Sequence, residues 1–155
     1  MRLFRIAKAK HINDTTGAGA RTYGGRWNEK GVGVIYTAES RALAALEFLV
    51  HVPMLLAPGD LRITCFDIPE RLVPRALDVA RLPSNWRSYP PPPELAVIGT
   101  HWVHSAESLL LRVPSAVVEH EFNVLINPAH PDFKSVAVST PERFFFDRRL
   151  LGRGR

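Results

Sequence analysis

At 155 residues the chain is about one domain long. Its 46% hydrophobic and 23% charged residues are a globular balance that excludes wholesale disorder and fibrous classes. Lys and Arg outnumber Asp and Glu by 20 to 15, giving a net charge of +5 carried mostly by arginine, which suits planar phosphate or carboxylate contacts better than lysine does. The one cysteine, Cys65, excludes both an internal disulfide scaffold and a cysteine-rich zinc module.

The opening Met1-Arg2-Leu3-Phe4-Arg5-Ile6-Ala7-Lys8 interrupts its apolar residues with charges and lacks a signal-peptide core. No apolar run approaches the roughly 18 residues of a membrane span, so a soluble cytoplasmic protein without membrane contact is expected. Leu3 to Ile6 reads as a short strand, and residues 13–25 as a polar, glycine-rich loop whose backbone can approach a ligand closely. Val32 to Thr37 reads as a buried strand. Ser40 is the expected N-cap of a helix over Arg41 to His51, stopped before Pro53. Leu61 to Asp67 alternates as a strand. An irregular, proline-rich crossing is expected from about Pro69 to Pro93. Leu109 to Val113 and Phe122 to Ile126 are further strands, and Phe144 to Leu151 a last one running into a basic tail. Mixed short strands with few helices predict an α+β single domain.

Four positions resist explanation by packing alone. Glu47 is the only charge between Arg41 and His51, on a helix face with Leu43, Leu46 and Val50. It sits at the helix edge, is bridged to a structural arginine, or lines a cleft in which burial tunes its basicity. Arg26, in Gly24-Gly25-Arg26-Trp27-Asn28, can clamp a phosphate or serve as a bridging arginine. Tyr36 is either core or a stacking ring with a usable hydroxyl. Ser115, at the break between two apolar runs, is a turn cap or a ligand contact. It lacks the flanking glycines of a hydrolase elbow. Further on, Glu121, Asn123 and Asn127 alternate with apolar residues and form a solvated face or a polar pocket wall.

Other patterns carry no such signal. Gly17-Ala-Gly19 lacks the third glycine and the strand-to-helix setting of a dinucleotide fingerprint. His51, His101, His104, His120 and His130 do not follow a zinc spacing, so no metal site is expected.

The blocks Gly24-Gly-Arg-Trp-Asn-Glu-Lys-Gly31, Val34-Ile-Tyr-Thr-Ala-Glu-Ser40, Ala44-Ala-Leu-Glu47, Leu111-Arg-Val-Pro-Ser-Ala-Val117, Glu121-Phe-Asn-Val-Leu-Ile-Asn-Pro128, His130-Pro-Asp-Phe133 and Phe146-Asp-Arg-Arg-Leu150 follow one another in a specific order and spacing. In that order and spacing the chain resembles the RES-domain family, toxin components of bacterial toxin–antitoxin pairs. The resemblance spans nearly the whole chain and implies one RES domain over residues 1–155, with a basic tail from about residue 145. The arginine, glutamate and serine that name the family fall on Arg26, Glu47 and Ser115, and its active-site tyrosine on Tyr36. The sequence departs before Trp102, where an acidic residue is expected and Thr100-His101 stands, and at the run Pro90 to Pro93.

The resemblance implies a fold akin to ADP-ribosyltransferase toxins of the diphtheria-toxin type. It also implies cleavage of the nicotinamide–ribose bond of NAD+ by an NAD+ glycohydrolase or NAD+ phosphorylase. NAD+ is then substrate rather than cofactor, and inorganic phosphate a candidate co-substrate. In this scheme Glu47 stabilises the ribosyl cation and Arg26 neutralises the phosphates. Tyr36, Ser115, Asn28 and Asn123 bind the substrate. The expected partner is an antitoxin with a helix-turn-helix domain, through which alone the toxin would meet nucleic acid; self-association is left open. The alternatives are a protein ADP-ribosyltransferase toxin, a nucleic-acid-acting toxin or binding protein, and an inert interaction module. Against the nucleic-acid reading, the aromatic residues are not interleaved with a long basic stripe.

Overall fold

The computed structural model describes residues 1–52, 59–147 and 149–150. Among these, eight strands are present: β1 (Arg2–Lys8), β2 (Ile35–Ala38), β3 (Leu61–Asp67), β4 (Arg75–Ala76), β5 (Leu110–Pro114), β6 (Phe122–Ile126), β7 (Ala137–Val138) and β8 (Glu142–Arg143). The α-helices are α1 (Ala18–Tyr23), α2 (Arg41–Leu49) and α3 (Pro93–Ser105). The strands make one sheet in the order β4-β5-β6-β2-β1-β3-β7, with β8 also on β3. Only the short β4–β5 pair is parallel, so the sheet is mixed and the fold is α+β, as expected.

The pairing is uneven. β1 and β3 are in register from Arg2–Asp67 to Lys8–Leu61, and β2 and β6 pair along all of β2. Between β1 and β2 only Phe4 and Ala38 pair. The sheet is therefore two well-knit halves joined at a narrow seam.

Strand alternation distributes the core over both faces. On one face Leu3, Ile35, Phe66, Leu110, Val124 and Ile126 form a continuous cluster closed by Leu72, Phe133 and Val136. On the other, two separate clusters form. α3 packs Leu95 and Trp102 with Trp27, Leu111, Val113 and Leu125. α2 packs Leu43 and Ala44 with Ile6, Leu61 and Ile63. The space between these two clusters, over the seam, is where the cleft opens.

Ser40 caps α2 as expected, its hydroxyl accepting from Leu43 N at 3.0 Å. The helix ends at Leu49 rather than His51, and Pro53 lies outside the described residues. Its inward face also differs from the expected one. Leu43 and Ala44 are buried, while Leu46 and Val50 are 42% and 57% exposed. Glu47 still lies one turn beyond Leu43.

Two helices arise that were not expected, one inside the loop read over residues 13–25 and one directly after the irregular crossing that was to end near Pro93. α1 interrupts the glycine-rich loop, tied down by Asp14, whose carboxylate accepts from Thr16 and Ala18 N–H at 2.9 Å each. α3 begins with Pro93 at its first turn, followed by Glu94, the expected chemistry of a helix start. Its apolar spacing over Leu95, Ile98 and Trp102 is interrupted by Gly99 and Thr100, which obscures the pattern in sequence. Residues 144–147 are not a strand. Phe144 and Phe146 pack against the α2 cluster instead, with Phe48 and Phe146 rings stacked at 6.1 Å. Residues 148 and 151–155 of the expected basic tail lie outside the described residues.

Gly99 explains how closely α3 approaches the loop before β2: a Cβ there would collide with the Trp27 carbonyl oxygen. Gly99→Ala should therefore destabilise the fold by about 1–3 kcal/mol through overpacking. The change is measured as a lower urea midpoint, and an unaltered midpoint would show that α3 is free to shift.

Candidate active site

A cleft of about 980 Å³ lies over the seam, walled by β1 through Phe4, Arg5 and Ile6, by β2 through Tyr36, and by α2 through Glu47 and Phe48. The loop Gly24 to Trp27 and the residues Asn123, Arg87 and Tyr89 complete it.

Glu47 is held from the opposite half of the sheet. Its Oε1 accepts from Ser115 Oγ at 2.7 Å and from Asn123 Nδ2 at 2.5 Å. Among the described residues Oε2 accepts no hydrogen bond, which leaves it available to the cleft. Asn123 stands opposite Val113 in the β5–β6 ladder, so strand register delivers it beside the end of β5 where Ser115 follows Pro114. Asn123 is thus a wall residue that also orients the carboxylate.

Of the two places open to Ser115, the turn cap is the one observed, rather than the substrate contact the family resemblance implies. It is buried at 2% exposure, and its Oγ also accepts from Val117 and Val118 N–H at 3.1 and 3.0 Å. One proton given and two bonds accepted exhaust a hydroxyl. Ser115 therefore positions Glu47 and caps the turn, with no capacity left for a substrate contact.

Asn28, expected to touch substrate, is 1% exposed and belongs to the scaffold. Its Nδ2 donates to Ala20 O at 2.9 Å and to Val32 O and Glu29 O at 3.0 Å, drawing the loop into a closed turn. Its Oδ1 accepts the Tyr36 hydroxyl proton at 2.7 Å, and that hydroxyl accepts from Trp27 N–H at 3.0 Å. The Tyr36 hydroxyl is thus committed to the loop while its ring lines the cleft. Burial pushes the phenol pKa upward, so Tyr36 stays neutral. Gly25 follows from this contact, because a Cβ there would meet the Tyr36 oxygen at 2.6 Å.

Arg26 lines the same cleft as Glu47. Burial lowers the guanidinium pKa and the carboxylate opposes that shift, leaving the group cationic. Nη1 donates to Trp86 O at 2.6 Å and Nη2 to Ser88 O at 3.1 Å. Among the described residues, two of five N–H donors are spent, both on the proline-rich crossing.

Arg5 is a site residue the sequence reading did not single out. It sits in β1, lines the cleft, and donates to Asp14 O at 2.5 Å and His11 O at 3.3 Å. Burial lowers its pKa, with Asp14 opposing. The available signal was a charge between two buried residues of one strand, Leu3 and Ile6. At the departure before Trp102, Thr100 is buried, and its Oγ1 accepts from Glu29 N–H at 3.0 Å, joining α3 to the same loop.

The chain belongs to the RES-domain family, whose model matches residues 2–147. Among its relatives, "Toxin Res" of Yersinia enterocolitica is 42% identical over 97% of this chain and 99% of its own length. The "Prs ADP-ribosylating toxin" of Sphingobium sp. (strain YBL2) is 37% identical over 97% of this chain and 94% of its own. The fold is shared with a crystal structure of the M. tuberculosis MbcT–MbcA toxin–antitoxin complex. That match has a TM-score of 0.74 and 19% identity, covering 92% of this chain and 83% of the other.

Tyr36→Phe should keep the ring in the cleft but leave Asn28 Oδ1 and Trp27 N–H without their partner. The expected loss of stability is about 1–3 kcal/mol, read by denaturant unfolding. Wild-type stability would show that water replaces the hydroxyl.

Proposed function

We propose that the protein is the toxin of a toxin–antitoxin pair and breaks the nicotinamide–ribose bond of NAD+, passing the ADP-ribosyl group to water or inorganic phosphate. The observation that carries this reading is Glu47, fixed through Oε1 and open through Oε2 in a cleft that also holds Arg26 and Arg5. When the glycosidic bond breaks, its electron pair leaves with nicotinamide, which departs neutral. The demand on the enzyme is then to stabilise a cationic ribosyl carbon and to hold the dinucleotide in place. A pre-oriented carboxylate meets the first demand and arginine forks meet the second. The Tyr36 ring supplies an aromatic wall for the nicotinamide or ribose. Attack by water with loss of a proton gives ADP-ribose, and attack by phosphate gives ADP-ribose-1″-phosphate.

Transfer to a protein side chain is a second reading, favoured by the name of the Sphingobium relative. All three outcomes share the bond cleavage and differ in acceptor. The antitoxin is supported by the toxin–antitoxin complex that shares the fold. Its helix-turn-helix domain is what the family resemblance implies.

Glu47→Gln keeps the shape and both hydrogen-bond geometries at lower charge, and should reduce turnover of NAD+ by at least about 100-fold. Chromatography of NAD+ incubated with the chain, with and without phosphate and with a cell extract, separates the three products. Near-normal NAD+ consumption by the variant would overturn the role of Glu47. Absence of all three products from the wild type would overturn the function.

A further inference from the structure

Among the described residues, the cleft is lined by three arginines and one carboxylate: Arg5, Arg26, Arg87 and Glu47. Arg5 and Arg26 each spend two donors on backbone carbonyls. Arg87 makes a different contact. Its Nη1 donates to Glu119 Oε1 at 2.5 Å, and the two side chains are 38% and 69% exposed. Exposed pairs of this kind contribute little to stability and exchange readily.

The position of Arg87 is nonetheless well defined. Arg26 grips the carbonyls on either side of it, those of Trp86 and Ser88. Trp86 packs against the α3 cluster, and the Arg87 guanidinium carbon stands 5.6 Å from its ring centroid. The side chain lies between the main cleft and a smaller hollow of about 270 Å³ that includes Glu119 and His120. Two residues further on, Tyr89 lines the same cleft at 83% exposure, which marks this stretch as its outer end. Arg26, by contrast, stands between Gly25 and Trp27, both held against the Tyr36 hydroxyl at the inner end of the cleft.

Resting on the NAD+ reading above, we infer that Arg87 is a specificity residue that exchanges Glu119 for the outer, adenosine-side phosphate of the dinucleotide. Arg26 takes the inner phosphate. A dinucleotide carries two phosphates, and the two arginines lie in that order along the cleft. Glu119 acts as a competing anion that holds Arg87 extended until substrate displaces it, so removing its charge favours the bound state.

The test is equilibrium binding to the full chain carrying Glu47→Gln, which separates affinity from turnover. Adding Arg87→Ala should weaken NAD+ binding at least about 10-fold, and Arg87→Lys should recover part of that loss because charge remains without the fork. Adding Glu119→Gln should tighten binding about two- to fivefold. NMN retains the inner phosphate only, so its loss with Arg87→Ala should be at least about fivefold smaller than that of NAD+. A dissociation constant for NAD+ changed less than about twofold by Arg87→Ala, or equal losses for NAD+ and NMN, would overturn the assignment while leaving the function standing. Failure of the Glu47→Gln chain to bind either nucleotide would overturn the dinucleotide reading, and this inference with it.

Discussion

A half-buried carboxylate needs hydrogen bonds in place of the part of its water shell that it loses. Here Ser115 and Asn123, both from the far side of the sheet seam, donate to a single oxygen of Glu47. The contact joins α2, which packs on β1 and β3, to the β5–β6 ladder, and it bridges the two halves where strand pairing is weakest. Because both donors converge on Oε1, the carboxylate is oriented without being used up. The position of α2, the turn after β5 and the opening of the cleft all depend on that arrangement.

The same economy recurs around the cleft. The Tyr36 hydroxyl closes the glycine-rich loop through Asn28 and Trp27, while its ring remains a wall. Arg5 and Arg26 bind backbone carbonyls from Asp14, His11, Trp86 and Ser88, which fixes their guanidinium groups and leaves donors to spare. An arginine pre-ordered in this way loses less side-chain freedom when it meets a phosphate. Loops rather than strands therefore supply much of the cleft rim, but each is pinned by a side chain from the rigid sheet or the loop beside it.

Much of this was legible in the linear chain, because local rules govern it. The Ser40 cap, the alternation of Leu61 to Asp67 and the strand Phe122 to Ile126 follow from residue type and spacing. Glu47 was conspicuous as a lone charge among apolar neighbours, and Arg26 as a cation beside two glycines. What escaped was what depends on partners distant in sequence. α3 was masked by Gly99 and Thr100, residues chosen for close approach to Trp27 and Glu29 rather than for helix propensity. Arg5 was hidden because nothing within its own strand reveals that a cleft lies beside it.

Residue chemistry by itself determined the fold class, the family and the charged groups around which the site is built, since these are properties of composition, period and order. Only tertiary structure decided what each group does. Ser115 and Asn28 carry the same hydroxyl and amide whether they bind a ligand or the protein. The choice was made by which donors and acceptors the folded chain brought within 3 Å of them, and here those belong to Glu47, Tyr36 and the backbone.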